Sequence, residues 1–290
     1  MKNFRGWHRC AIVFLAIVAA GTPLPGRAQE ISASSGTPGE AGSRLSFPVP
    51  RQEPRFSGSA DSGDDLELTW KKAPRKFLAD EKQMWLFPKQ LAQGRHWLPT
   101  AIIVGGTAAF IKEDPPLERK IRGTDIFDDY NRVLKGAVSG GIIAGVPAAF
   151  YAISLLRKDS YAQSTALLAG EAVANDFVLM AAMKVSTRRR RPAVFPPNSS
   201  YNDSFFTAGY NPVWGHGSSF PSGHAAMAFS VATVFSRRYK QHKWIPYVAY
   251  TVATALSFSR VTTGAHFSSD TFIGAAMGYV IARYDVLRGR

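Results

Sequence analysis

Residues 218–229 read SSFPSGHAAMAF, a Pro-Ser-Gly-His turn set directly against an apolar run. The composition predicts a helix that starts at this turn, with Ser222 as its N-cap and His224 at its mouth. The first N–H groups of such a helix have no partner inside it and face outward beside the imidazole, which favours an anion. An ordinary cap followed by a surface histidine explains the turn equally well. The stretch therefore fixes a helix boundary, and its chemistry depends on what else the chain brings to it.

Outward from that boundary the texture is apolar runs of helical length, short polar loops and little strand-like alternation. Helices are expected near 77–93, 98–111, 136–156, 164–188, 224–238, 245–259 and 267–284, with loops at Pro115–Pro116 and at 195–221. This predicts an all-α fold, a helical bundle of about six core helices, membrane-embedded or membrane-associated. The stretch 195–221 is too long for a mere connector and is a candidate wall or lid of a site. Only 136–156 is both uncharged and long enough to span. The run IPYVAYTVATALSF at 245–258 supplies roughly 21 Å of helix against a hydrocarbon core of about 30 Å. Glu171 and Asp176 interrupt another apolar run and would need buried partners within a membrane. The basic loop RRYKQHK (237–243) and tail RYDVLRGR resemble cytoplasmic ends, which places His224 and His266 at the opposite, outer ends of their helices. Counting spans backwards leaves 98–111 without a consistent crossing, so that segment is interfacial or the whole domain is peripheral.

The chain has 290 residues, 46% of them apolar, and a formal net charge of +14. Such a charge suits anionic partners: nucleic acid, anionic lipid or phosphate esters. No basic–aromatic pattern or nucleic-acid motif accompanies it, so nucleic acid is not expected as a partner, and no obligate protein partner is evident. Residues 1–28 read as a signal peptide: Lys2, Arg5 and Arg9, then AIVFLAIVAAG, then Gly26 and Ala28 at cleavage-site positions. The lone Cys10 lies within it, so cleavage leaves a chain without disulfides or thiol chemistry. Residues 29–74 form a disordered Ser/Gly/Pro-rich linker, and 75–290 a helical domain. The expected location is the bacterial cell envelope: inner membrane with a periplasm-facing site, or periplasm.

Two further stretches join the Pro-Ser-Gly-His turn. In KVSTRRRRP, Lys184 and Arg191 stand seven residues apart, close to two helical turns, so both cations can share one face. In SRVTTGAHFSSD, Arg260, His266 and Asp270 follow one another, and a spacing of four places Asp270 beneath His266 on one helical face. A carboxylate there holds one ring nitrogen as N–H and leaves the other as a lone-pair base or nucleophile. Singly, a run of arginines is a solvated helix end and a His/Asp pair a surface contact. Together they outline an anion pocket with two acid/base positions.

The ordered pieces K-x6-R-P (Lys184–Pro192), P-S-G-H (Pro221–His224) and S-R-x5-H-x3-D (Ser259–Asp270) resemble the three-part signature of the type 2 phosphatidic acid phosphatase superfamily. That group includes lipid phosphate phosphatases, bacterial acid phosphatases and vanadium-dependent haloperoxidases. The resemblance implies that His266 attacks phosphorus to form a phosphohistidine, that Asp270 orients it, and that His224 protonates the leaving alkoxide. It implies further that Lys184, Arg191 and Arg260 bind the phosphoryl oxygens with Ser222 and the Gly223 N–H, and that neither metal nor other cofactor is required. The expected activity is hydrolysis of lipid phosphates, such as phosphatidic acid or an isoprenoid or lipid-sugar phosphate. A soluble periplasmic acid phosphatase is the alternative, and a vanadate-dependent haloperoxidase or a non-enzymatic lipid binder lies further off. His216, the cluster Asp125, Asp128 and Asp129, and the aromatic pair Trp85 and Phe87 are read as structural.

Overall fold

The structure is a computed structural model that describes residues 68–196, 199–207 and 217–288. The expected signal peptide, most of the expected linker and His216 lie outside the described residues. Among the described residues all regular structure is helical: α1 (Ala73–Trp85), α2 (Phe87–Ala92), α3 (Trp97–Arg122), α4 (Asp128–Val133), α5 (Gly136–Arg157), α6 (Ser160–Thr187), α7 (Gly223–Arg238), α8 (Trp244–Thr262) and α9 (Ser268–Val280). A 3-10 turn at Pro192–Val194 follows α6, and a π-helical turn at Ile281–Val286 continues α9. The chain is already packed ahead of residue 75: Leu68 is 3% exposed and its N–H donates to Ser164 Oγ at 2.8 Å.

Helix α7 is the centre of the bundle, packed against α6, α8 and α9 with α5 beside it. Leu168, Ala169 and Ala172 of α6 meet Val231 and Val234 of α7 and Ile281, Ala282 and Val286 of the last turn in one apolar cluster. Burying a Leu or Val side chain in such a cluster contributes about 1.5–3 kcal/mol. The approach of α9 to α7 is set by Gly274 and Gly278. A Cβ added there would come within 2.4 Å of the Ser222 carbonyl oxygen and 2.0 Å of the Ala226 carbonyl oxygen. The two backbones thus touch, and Ser230 Oγ donates to the Gly278 carbonyl at 2.8 Å across the same contact.

Two expected boundaries are corrected and one short helix is added. The segment 77–93 is two helices, because Pro88 starts a new one at its first positions after the chain turns at Leu86. Pro115 and Pro116, expected in a loop, lie inside α3. Proline removes backbone donors from a helix, but Asp114, Glu118 and Ile121 recur at helical spacing on a buried face, and their contacts outweigh the local preference. Phe110 of α3 stacks on Phe272 of α9 at 4.9 Å, which seats the first half of the helix. Finally, α4 forms a short helix over Asp128–Val133 with Asp128 and Asp129 in its first turn, favourable to the helix dipole.

Two helical segments, Gly136–Arg157 and Ser160–Val194, are long and apolar enough to cross a membrane. On α5 the large apolar side chains Val138, Val146, Ile153, Leu155 and Leu156 are exposed. Within α6, Glu171 is buried and paired with Lys76 of α1 at 3.1 Å. That partner belongs to the N-terminal helix rather than to the arginine run.

Candidate active site

The cationic segment begins as α6 and does not end as one. Arg188 takes the left-handed conformation (φ 40°) and closes the helix, after which the chain runs extended through Arg191 into Pro192. Lys184 and Arg191 therefore do not share a helical face, as their spacing predicts. They are brought together because the extended strand folds back along residues 218–219. Lys184 Nζ donates to the Ser218 carbonyl, Arg189 N–H to Ser218 Oγ at 3.0 Å, and Ser219 N–H to the Arg189 carbonyl at 2.8 Å. Arg122 of α3 fixes the far side, donating to the carbonyls of Pro192 (3.1 Å) and Phe195 (2.8 Å).

The Pro-Ser-Gly-His turn starts α7 as its composition predicts. Ser222 is the N-cap, its Oγ accepting from Ala225 N–H, and its own N–H donates to the Asp270 carbonyl at 2.9 Å. The Ser222 hydroxyl is thus engaged as a cap at the same turn that carries Gly223 N–H. His224 Nε2 lies 3.3 Å from the Gly136 carbonyl, which can only accept, so the proton resides on Nε2. Gly136 also admits Arg260: a Cβ there would stand 2.6 Å from Arg260 Nη1. Arg260 is 5% exposed, bonds Thr263 Oγ1 at 3.2 Å through Nη2, and its Nε has no hydrogen-bond partner among the described residues.

The third piece is also not a shared helical face. His266 precedes α9 in a tight turn, where Gly264 has φ +65° and the Arg260 carbonyl accepts from both Ala265 and His266 N–H at 3.0 Å. His266 Nδ1 donates to the Ser219 carbonyl at 2.6 Å and stands 3.7 Å from Asp270 Oδ2. A carbonyl acceptor fixes the proton on Nδ1, which leaves Nε2 with its lone pair. Asp270 caps the turn instead, its Oδ2 accepting from Phe267 N–H at 2.8 Å. The carboxylate sits near His266 because it closes the helix start.

Electrostatics agree with these states. Burial pushes the His266 imidazole down to about 4, with Lys184 and Arg191 adding to the effect and Asp270 opposing it, so the ring is neutral. Burial alone would raise the Asp270 carboxyl, but Arg189, His266 and the Phe267 N–H hold it below the usual carboxylate range. His224 is also lowered, by burial and then by Arg260, with Arg191 and Lys184 contributing. Lys184, Arg191, His224, Arg260, His266 and Asp270 thus lie within reach of one another's charge, and Ser222 and Gly223 form the adjoining turn.

Sequence reasoning missed Arg189 and Asp114. Of the four arginines only Arg189 is fully buried, 2% exposed, its guanidinium held between the rings of Phe205 (4.2 Å) and Phe267 (4.0 Å). It pairs with Asp270 through Nη1 and with Asp114 of α3 through Nη2 at 2.8 Å. The available signal was the i, i+4 pair Asp114/Glu118, hidden by the two prolines between them.

Residues 165–286 match the family profile described as the PAP2 superfamily. Over 64 residues the chain is 41% identical to a lipid A 1-phosphatase of Porphyromonas gingivalis, a stretch amounting to 22% of this chain. It spans only 14% of the length of that curated relative. A crystal structure of a transmembrane PAP2 type phosphatidylglycerolphosphate phosphatase from Bacillus subtilis aligns with 70% of this chain and 92% of that one, at 21% identity and a TM-score of 0.35. All three signature segments lie within the matched residues, and the structure gathers them into one cationic site around two histidines: over residues 165–286 the chain matches the PAP2 superfamily.

Proposed function

We propose that this chain is a phosphomonoesterase that hydrolyses lipid phosphates, such as phosphatidic acid or an isoprenoid or lipid-sugar phosphate, through a phosphohistidine on His266. One observation carries the lipid assignment. A groove of about 750 Å³ between α5, α7 and α8 begins one helical turn from the site on each helix. Ile143 lies beyond Gly140, whose added Cβ would stand 3.6 Å from His224 Nε2; Ala228 lies beyond His224, and Leu256 before Arg260. The groove runs on between apolar side chains to Trp244 on α8, about 18 Å of helix from Leu256. A phosphate among the cations thus has an apolar groove beginning one helical turn away, which suits an ester whose alcohol is a hydrocarbon chain.

The chemistry follows from the states above. His266 Nε2 attacks phosphorus as the P–O ester bond breaks, and the leaving alkoxide takes the proton held by His224. The Ser219 carbonyl and Asp270 then face a phosphoimidazole whose Nδ1–H they stabilise. Water attacks phosphorus, His224 takes its proton, and orthophosphate leaves with Nε2 restored. Lys184, Arg191 and Arg260 bear the charge on the equatorial oxygens, with Gly223 N–H at the helix start. The exposed apolar side chains of α5 support placing the domain in or against the envelope membrane, behind an N-terminal signal peptide.

The test is phosphate release from a matched panel of lipid and water-soluble phosphate esters, with His266→Ala as blank. Turnover of lipids in preference to soluble esters, lost in the variant, supports the reading. Equal or better turnover of soluble esters replaces it with a periplasmic acid phosphatase. Release that survives in His266→Ala overturns the nucleophile.

A further inference from the structure

We propose that Arg189 is a positioning residue for His266, acting through Asp270, and that Asp114 of α3 is its anchor. The assignment rests on the phosphohistidine reading of the site. Arg189 is constrained in every direction. Phe205 and Phe267 hold the faces of its guanidinium, Nε donates to Ser204 Oγ at 3.2 Å, and Nη1 donates to Ser269 Oγ at 2.7 Å and to Asp270 Oδ1. Its remaining nitrogen, Nη2, donates to Asp114 Oδ2 at 2.8 Å. Asp114 in turn accepts the Ser269 N–H at 3.0 Å and the Ser269 hydroxyl, so α3 grips both the arginine and the start of α9.

The consequence is a fixed line from Asp114 through Arg189 to Asp270 and on to His266 Nδ1. Asp270 has one oxygen on Arg189 and the other on Phe267 N–H, which sets the carboxylate plane and leaves Oδ2 3.7 Å from the imidazole. A carboxylate and arginine this deeply buried stay charged only while paired. The charged groups facing Asp270 are Asp114 and Glu118 from α3, Lys184 from α6, Arg189 from the segment after it, and His266 from the turn before α9. Removing Arg189 leaves Asp114 and Asp270 as neighbouring carboxylates with no cation between them, and one then takes a proton more readily. Burial raises the Asp114 carboxyl to about 6, so near pH 4 it carries little charge and its loss acts by freeing Arg189 Nη2.

These two consequences give the test. Full-length wild type, Arg189→Gln, Arg189→Lys and Asp114→Asn are compared for thermal melting and for kcat and KM against pH on one ester that the wild type turns over. Arg189→Gln lowers kcat about 10²-fold with KM little changed. Its acid limb of kcat/KM moves to higher pH by about one unit, and Arg189→Lys restores part of both. Asp114→Asn lowers kcat about 10-fold with KM little changed, by loosening the hold on Arg189 Nη2, and its acid limb stays in place. If Arg189→Gln does not fold, kcat of Arg189→Lys and of Asp114→Asn decides. A folded Arg189→Gln with an unmoved acid limb and unchanged kcat overturns the positioning role while leaving the phosphatase reading intact. A wild type that releases no phosphate from any ester overturns both.

Discussion

His266 gives its Nδ1 proton to the Ser219 carbonyl at 2.6 Å, while the Asp270 carboxylate stands off at 3.7 Å. The backbone therefore fixes the tautomer, and Asp270 contributes charge and helix closure. In a triad where the carboxylate alone sets the tautomer, its amide variant costs about 10⁴ in kcat. Here Asp270→Asn is expected to cost only about 10- to 10²-fold, whereas His266→Ala abolishes turnover. Rates of phosphate release for the two variants check this.

The pH profile follows from two lowered histidines. On the proposed chemistry His266 must be neutral to attack, and with its pKa at about 4 the acid limb of kcat/KM is expected near pH 4. On the same chemistry His224 must be protonated to release the alkoxide. In the free protein it is held below the ordinary histidine value by burial and then Arg260, so the alkaline limb of kcat/KM falls below pH 6.5. A bound phosphate offsets the cations, which moves the alkaline limb of kcat to higher pH. Both profiles, measured on a soluble ester, show an acidic optimum with that separation.

The contact of α7 with α9 tolerates no side chain. Gly278→Ala would force a Cβ to within 2.0 Å of the Ala226 carbonyl oxygen, where only backbone can move aside. It is expected to destabilise the fold by about 1–3 kcal/mol or more. In contrast, Gly145→Ala on α5 meets nothing within 4 Å and gains helix propensity, about 0.5–1 kcal/mol. Thermal melting of the two variants separates in opposite directions.

Gly136 faces the end of a flexible side chain instead. Gly136→Ala displaces the Arg260 guanidinium, which swings away cheaply. Melting temperature is expected to hold, and kcat/KM to fall about 10-fold through misplacement of a cation proposed to bind the phosphoryl group.

The groove offers a separate handle. Ala249 lines it on α8, well away from the histidines. Ala249→Trp is expected to raise KM for a long-chain lipid phosphate about 10-fold, by analogy with filling a well-fitted apolar site. A short soluble ester is turned over as before, and paired kinetics on the two substrates give the result.

The helical plan was legible because apolar runs of helical length separated by short polar loops dominate the chain, and the three signature stretches name residues that the structure brings together. What was not legible is how they meet. Both short-range spacings, Lys184 to Arg191 and His266 to Asp270, invite a helical reading, and in both the chain leaves the helix or has not yet entered it. Arg188 in the left-handed region and Gly264 at φ +65° make those departures. The first does not signal its conformation through residue type, being an arginine among arginines, and the second, a glycine, permits a positive φ without requiring it. Asp114 was hidden for a related reason: Pro115 and Pro116 carry a strong local preference that a buried ion pair overrides.

Ser219 is where the three stretches are tied. Its N–H goes to Arg189, its hydroxyl to Arg190 and its carbonyl to His266. During synthesis Lys184, Arg191 and the Pro-Ser-Gly-His turn emerge well before Arg260 and the histidine that Ser219 must hold. A nascent chain thus possesses part of the cradle without the nucleophile, and completes the site only when α9 docks through Gly274 and Gly278. On the proposed chemistry, competence arrives in a single late step, and an immature chain beside the membrane has nothing with which to attack its lipids.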